Sequence, residues 1–273
     1  MGCCATEAAA IQNERLEGVT AKDKDAKDAK TMGTPRTETK KDDPIAARKK
    51  QFKNKPPILL GYWKIRGLAQ PLRYLLEYTE HPYQDVMYEQ GDAPNYSVEC
   101  WTSVKNTLGL DFPSIPYLID QETKLTDPYA IMIYLSTAYA PELLGRNPEE
   151  RGQIDMMYQQ LKDCKSAITG PCYVGAQRSD LSATAKAKMA PIVDYLGKKD
   201  YLIGDNLTFM DFYMLELCDF IQWLTNNEFF NENKNVARYV KRMKGLKSVK
   251  RYIKSDRYLE KPFNNKVAKI NNL

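Results

Sequence analysis

From Pro56 onward, apolar and polar residues follow the spacings of strands and helices. The run "PILLGYW", residues 57–63, is mostly apolar and predicts a buried strand, and "YQDVMYE", residues 83–89, alternates like a second strand. Between them, "AQPLRYLLEY" places Leu72, Leu75 and Leu76 on one face of a helix. The folded part of the chain is therefore predicted to begin with a β-α-β unit.

The pattern changes character in the second half of the chain. "VECWTSVKNTL" predicts a short helix, "IPYLID" and "TKLT" predict strands, and "YAIMIYLSTAY" predicts another helix. After the linker "APELLGRNPEE" the pattern is helical to about residue 255, with a capping box of Thr208 and Asp211 opening one apolar helix. The predicted fold class is α/β plus all-α, with an α/β domain over residues 56–140, an all-helical domain over 148–260 and a tail over 261–273.

Residues 1–55 lack this patterning and are rich in Ala, Lys, Asp and Thr, so they are predicted to form a disordered tether. The opening "MGCCAT" fits an N-myristoylation signal through Gly2 and Thr6, and Cys3 and Cys4 are placed for palmitoylation. Because one acyl chain binds a membrane only weakly and a second one gives stable anchoring, we expect a cytoplasmic protein attached to the cytoplasmic face of a membrane. The alternative is an unmodified terminus with two idle cysteines.

The charge balance and the numbers of cysteine and histidine residues argue against several kinds of function. The 273 residues include 40 basic and 35 acidic side chains, and the net charge of +5 does not indicate a nucleic-acid partner. Six cysteines are scattered without zinc-ligand spacing, so we interpret them as reduced thiols and predict no metal site. The only histidine, His81 in "EHPY", is interpreted as a solvated turn residue, which argues against a histidine base.

Three stretches carry a resemblance to a known family. "GYWKIRGLA", the loop "GDAPNY" and "LGLDFPSIPYLID" resemble the mu class of glutathione transferases, and the likeness extends over about residues 57–260. The resemblance implies a thioredoxin-like domain followed by an all-helical domain, and a homodimer. It also implies glutathione as co-substrate, a hydrophobic electrophile as second substrate, and no further cofactor.

The resemblance also implies roles for individual residues. Tyr62 matches the catalytic tyrosine, whose hydroxyl donates a hydrogen bond to the glutathione sulfur and favours the thiolate. Tyr173 matches a tyrosine that faces the second substrate. The positions that match glutathione-binding residues are Trp63, Trp101, Lys105, Ile115, Pro116, Asp127 and Asp163, with Asp163 reaching the neighbouring subunit's site.

The stretch "LTDPYAI", residues 125–131, departs from the family pattern. The stretch predicts the N-terminus of a helix, with Thr126 or Asp127 as the N-cap and Pro128 in the first turn. The resemblance implies Gln and Ser here, which hold the γ-glutamyl group, whereas Asp127 adds a negative charge and Pro128 lacks both the N–H and the hydroxyl. Ser114 and Val98 stand where the family has Asn and often Arg. Losing two such bonds would weaken glutathione binding by about two to four powers of ten.

Two functions therefore compete. The first is a glutathione transferase that conjugates the thiolate to hydrophobic electrophiles, with weakened glutathione binding. The second is a non-catalytic dimer of the same fold that acts as a membrane-tethered or assembly-bound docking protein. A third hypothesis, that the site takes another thiol, has no positive sign in the sequence.

Overall fold

The computed structural model describes residues 51–52 and 55–272 of the chain. The predicted tether over residues 1–55 lies almost wholly outside the described residues, and so do the predicted acylation sites Gly2, Cys3 and Cys4. In the part that is described, no helix combines the length and apolarity needed to cross a bilayer. The same residues contain no cluster of His, Cys, Asp or Glu side chains suited to a metal ion.

The first part of the fold is a four-stranded sheet with helices. Its strands are β1 (Ile58–Trp63), β2 (Tyr83–Tyr88), β3 (Tyr117–Asp120) and β4 (Thr123–Thr126), in the order β2-β1-β3-β4. β1 and β2 are parallel and are joined through helix α1 (Gln70–Thr79), while β3 and β4 add antiparallel pairs. A short helix α2 (Glu99–Thr102) precedes β3, and helix α3 (Pro128–Tyr139) follows β4. This is the predicted thioredoxin-like arrangement.

The second part is helical. Its helices are α4 (Pro148–Val174), α5 (Arg178–Leu196), α6 (Phe209–Leu224), α7 (Phe229–Glu232), α8 (Lys234–Gly245) and α9 (Lys247–Ile253). Helix α6 is the centre of the core, since all of its residues except Gln222 and Trp223 are buried, and the predicted capping box of Thr208 and Asp211 opens it. The predicted fold class, an α/β domain followed by an all-helical one, is confirmed.

A buried ion cluster joins the two parts. Arg66, in the loop after β1, is 1% exposed, and its Nε donates to the two carboxylate oxygens of Glu216 on α6 at 3.1 and 3.0 Å. Its Nη2 also contacts Glu216 and donates to Asp219 Oδ2 at 3.0 Å. The guanidinium Nη1 donates to the hydroxyl of Tyr258 at 2.6 Å. Because a buried charge is tolerated only when it is paired, Arg66 fixes the sheet against the helical core.

The segment after Lys261, expected only as a tail, packs back onto the sheet and the helices. The carbonyl of Pro262 accepts from the backbone N–H of Arg66 at 2.9 Å, and that of Phe263 accepts from the N–H of Gly67 at 3.3 Å. Farther along, the Lys266 ammonium donates to Asp92 Oδ1 at 2.7 Å. The segment therefore crosses from one domain to the other beside the loop that follows β1.

The interpretation of His81 as a solvated turn residue is wrong. His81 is 4% exposed, and its ring packs against Phe52 and Tyr139 with centroid distances of 5.1 and 4.5 Å. Its Nδ1 lies 2.9 Å from the Pro82 carbonyl oxygen. The aromatic residues that cover the ring are remote in sequence, which is why the local turn pattern suggested exposure.

Candidate active site

A cavity of about 350 Å³ lies between the end of β1, the start of α3 and the inner faces of α4 and α6. Phe263 and Asn264, from the segment after α9, form part of its wall. Its aromatic lining residues are Tyr62, Tyr158, Tyr173, Tyr213, Phe220 and Phe263, and its polar ones are Asp127, Lys162, Lys165, Ser166, Thr169, Glu216 and Asn264. The structure thus brings together Tyr62, Asp127 and Tyr173, three of the residues predicted from the sequence.

The Tyr62 hydroxyl is held in place and protonated, so it can donate a hydrogen bond. Tyr62 lies near the end of β1, and its oxygen accepts a hydrogen bond from the backbone N–H of Leu68 at 3.1 Å. Gly67 allows this approach because it has a φ of +44° and a Cβ there would lie 2.7 Å from the Tyr62 ring. Burial raises the pKa of Tyr62 to about 12, so the hydroxyl keeps its proton near neutral pH. With its oxygen occupied as acceptor, the remaining O–H is available to a group in the cavity.

Asp127 caps helix α3 with its own side chain. Its Oδ1 accepts from the backbone N–H groups of Tyr129 at 2.8 Å and Ala130 at 3.1 Å, and Pro128 is the first helical residue. Asp127 has a φ of +80°, a conformation that is uncommon outside glycine. The N–H groups that a ligand carboxylate would need at this helix start are therefore already bound to a carboxylate of the chain itself.

One face of α4 lines the opposite wall. Lys165, Thr169 and Tyr173 follow one another at a spacing of four residues and so share this face. The Lys165 ammonium donates to the Gly67 carbonyl at 2.8 Å, and burial lowers its pKa to about 8. The Tyr173 hydroxyl accepts from the backbone N–H of Asn265 at 3.1 Å, and burial raises the pKa of this tyrosine. Tyr173 thus also keeps a proton that it can donate.

Sequence reasoning missed Lys165 as a lining residue. Its position two helical turns before Tyr173 was the available signal, because residues spaced by three to four positions share a helix face. A lysine in a helix is ordinarily expected on the solvent side, which hid this signal. The contribution of Asn264 and Phe263 had no local signal, because their place in the wall depends on the path of the whole chain.

Other predicted residues lie near the sheet and outside the cavity lining. Trp101 is 7% exposed and stacks on Tyr117 with centroids 5.8 Å apart, and Trp63 and Ile115 pack against the same small cluster. Ile115 and Pro116 are joined by a cis peptide bond, as the resemblance implied. Lys105 is half-buried in the turn after α2.

Asp163 is exposed, and so are two residues that differ from the family pattern, Ser114 and Val98. Asp163 lies on the outer side of α4 and does not line the cavity. The resemblance assigns it to the neighbouring subunit's site, so this position is compatible with that role.

Comparison with known proteins gives a consistent result. The model of the glutathione S-transferase N-terminal domain matches residues 59–137, and that of the glutathione S-transferase C-terminal domain matches residues 162–256. Glutathione S-transferase Mu 1 of Rattus norvegicus is 36% identical over 219 residues, which are 79% of this chain and 99% of that protein. Glutathione S-transferase Mu 4 of Homo sapiens is 35% identical over 214 residues, which are 77% of this chain and 97% of that protein.

Solved structures show the same architecture. The crystal structure of the glutathione S-transferase Blo t 8 superimposes with a TM-score of 0.70 at 25% sequence identity, over 77% of this chain and 98% of that one. A Pi-class glutathione S-transferase of Onchocerca volvulus superimposes with a TM-score of 0.62 at 22% identity, over 72% of this chain and 92% of that one, and supports the fold alone. With the Mu relatives covered almost from end to end, the chain belongs to the glutathione S-transferase family.

Proposed function

We propose that this protein is a glutathione transferase that binds glutathione as co-substrate and adds its sulfur to a hydrophobic electrophile. The observation that carries the proposal is the Tyr62 hydroxyl, which is held by the Leu68 N–H, keeps its proton and lines the cavity. A free thiol has a pKa of about 8.5, so a donor at the sulfur raises the thiolate fraction near neutral pH. The thiolate then forms the new bond to carbon, and the protein forms no covalent intermediate.

The test compares Tyr62→Phe with wild type. A hydrogen bond to a charged group contributes about 1.5–3 kcal/mol, so kcat/KM should fall about 10- to 150-fold in the variant. The pKa of bound glutathione, read from thiolate ultraviolet absorbance, should rise by about one to two units. Tyr195→Phe, which removes a tyrosine hydroxyl from helix α5 outside the cavity lining, is the matched control. Unchanged kcat/KM in Tyr62→Phe would refute the role of this hydroxyl.

Glutathione itself is proposed to extend from Tyr62 along the sheet. In this arrangement Trp63 and Trp101 contact its glycyl end, Lys105 pairs with the glycyl carboxylate, and the backbone at Ile115, before cis-Pro116, pairs with the cysteinyl part. The cluster that Trp63, Trp101 and Ile115 form with Tyr117 supports a shared binding surface. Lys105→Met should raise KM for glutathione and have little effect with the glycyl ester of glutathione, which lacks that charge.

We expect the site to bind the γ-glutamyl end of glutathione weakly. Asp127 fills the helix start with its own carboxylate, and Pro128 supplies no N–H there. Asp127 can still accept a hydrogen bond from the ligand's ammonium group. The non-catalytic docking function is not favoured, because the chain's relatives are named transferases and the donor at Tyr62 is intact.

A homodimer is proposed as the working assembly. Phe112 is 79% exposed in the loop before β3, so a large aromatic side chain is available to a second subunit. Asp163, exposed on α4, would reach the partner's glutathione in that assembly.

Membrane attachment is proposed from the sequence alone. Gly2 would carry a myristoyl group and Cys3 and Cys4 palmitoyl groups, giving the two anchors that stable attachment to the cytoplasmic face requires. Mass analysis of the wild type and of Gly2→Ala tests this proposal. Finding free Gly2 and unmodified Cys3 and Cys4 in the wild type would end it.

A further inference from the structure

The wall of the cavity formed by α4 contains a cation without an acidic partner. Lys165 is 8% exposed, and its ammonium donates to the carbonyl oxygen of Gly67. Among the described residues, no carboxylate lies within 4.0 Å of it. Its ammonium also lies 5.3 Å from the centroid of the Tyr213 ring, but neither the carbonyl nor the ring carries a full negative charge. A buried cation without an anionic partner is costly, and an anion in the cavity would relieve that cost.

The buried acidic side chain of the lining, Glu216, is already paired. Glu216 also lines the cavity, but both of its oxygens accept hydrogen bonds from Arg66. The charge of Glu216 therefore has a partner of its own in the cluster that joins the domains. The other lysine of the lining, Lys162, is exposed to solvent, so Lys165 is the buried charge of the lining that a ligand can balance.

Two further polar groups of the cavity lining lack partners among the described residues. Thr169 lies one turn farther along α4, and Asn264 lies on the segment that covers the cavity. Thr169 Oγ1 and Asn264 Nδ2 are both buried, and neither has a hydrogen-bond partner among the described residues. An unmade hydrogen bond on a buried polar group costs free energy, so both side chains favour a ligand that accepts hydrogen bonds.

We propose that Lys165, Thr169 and Asn264 form an anion subsite in the part of the cavity next to Tyr173, and that the electrophile of this enzyme carries a carboxylate. All three side chains can donate hydrogen bonds, and a carboxylate accepts only. A carboxylate brings the single negative charge that one lysine can balance, whereas a doubly charged phosphate would leave an unmatched buried charge. This specificity rests on the proposed transferase function, because it assumes that the sulfur of glutathione lies at Tyr62.

The reaction that tests it uses two electrophiles that differ in one charge. The first is a chloronitrobenzoate with chlorine para to the carboxylate and the nitro group ortho to the chlorine, and the second is its methyl ester. In both, the thiolate sulfur bonds to the ring carbon, and chloride leaves with the electron pair of the C–Cl bond. Lys165 takes no part in these bond changes and only binds the carboxylate. Each rate is divided by the uncatalysed rate with glutathione.

Lys165→Met removes the charge and keeps much of the length of the side chain. With the carboxylate substrate, kcat/KM should fall about 10- to 100-fold, and with the ester by less than about threefold. Lys165→Arg should retain the preference for the carboxylate, and Lys188→Met, at an exposed lysine on α5 outside the cavity lining, should leave it unchanged. Equal losses with both substrates, or no loss with either, would overturn the proposal.

A binding measurement separates this proposal from the proposed function. Nitrobenzoate and its methyl ester cannot react, and their calorimetric affinities for the full chain without glutathione report the subsite alone. The expected result is tighter binding of nitrobenzoate than of the ester, lost in Lys165→Met. If neither chlorinated substrate is conjugated but this difference is present, the transferase function fails and the anion subsite stands. If nitrobenzoate binds no better than its ester, the subsite is refuted even if conjugation occurs.

Discussion

The carboxylate of Asp127 offers a direct test of why glutathione should bind weakly to this protein. Its Oδ1 caps α3 through the N–H groups of Tyr129 and Ala130, at 2.8 and 3.1 Å. Asp127→Asn keeps an oxygen acceptor for these two N–H groups and removes only the charge. Since Asn and Asp are about equally good N-caps, the free energy of unfolding should change by less than about 0.5 kcal/mol.

The effect on affinity follows from Coulomb's law. A γ-glutamyl carboxylate at this helix start would lie about 5 Å from the charge of Asp127, and the repulsion between two unit charges at that distance is about 0.8 kcal/mol in water and about 3 kcal/mol near a protein surface. Asp127 is exposed, so the lower part of this range applies. We therefore expect Asp127→Asn to bind glutathione about 5- to 30-fold more tightly at low salt, with a smaller gain at high salt.

Calorimetry with two ligands separates repulsion from other effects. Cysteinylglycine lacks the γ-glutamyl carboxylate, so its affinity should be the same for wild type and Asp127→Asn. The double variant Asp127→Gln, Pro128→Ser should bind glutathione more tightly still, because it also restores an N–H and a hydroxyl at the helix start. Weaker glutathione binding by Asp127→Asn would refute the reasoning and show that Asp127 holds the ligand's ammonium group.

Three further predictions concern stability and assembly. Glu216→Gln leaves the buried guanidinium of Arg66 underpaired and should lower the free energy of unfolding by about 3–5 kcal/mol in urea titrations, and a loss below about 1 kcal/mol would contradict the role of this pair. Burial raises the pKa of Asp211 from 3.8 to about 6, so the folded protein binds this proton more tightly than the unfolded chain does. The stabilisation that results from this difference is complete below about pH 4 and is lost as the pH rises through 6. Relative to Asp211→Asn, which does not titrate, wild type should lose about 2 kcal/mol of unfolding free energy between about pH 4 and 7, and parallel pH profiles would exclude this. Phe112→Ser should raise the dimer dissociation constant about 10- to 100-fold in sedimentation experiments, and an unchanged constant would exclude Phe112 from the interface.

Local sequence signals predicted the parts of the site that local structure creates. The apolar run of β1 placed Tyr62, because it depends on a few neighbouring residues. The stretch before Pro128 predicted the N-cap of α3 at Thr126 or Asp127, and the structure shows that Asp127 is the cap. The resemblance to a family supplied the cis peptide before Pro116, which no local pattern indicated.

The remainder of the site depends on residues that meet only in the folded chain. The sequence suggests that Lys165 faces solvent, but in the folded chain its side chain contacts the loop that contains Gly67. The burial of His81 depends on Tyr139, and the cavity wall depends on Asn264. None of these pairings leaves a periodic pattern in the sequence.

The cluster around Arg66 limits how the two domains can be recombined with those of relatives. Arg66 belongs to the sheet domain, and the carboxylates of Glu216 and Asp219 that balance it belong to the helical one. A chimera that joins this sheet domain to a helical domain lacking both acids would bury an unmatched guanidinium and should fail to fold. In the reverse chimera Glu216 would be buried without its cation, while Asp219 would keep its ion pair with Lys244 at 2.7 Å. The two domains are therefore exchangeable only as a matched pair, or together with the three charges that join them.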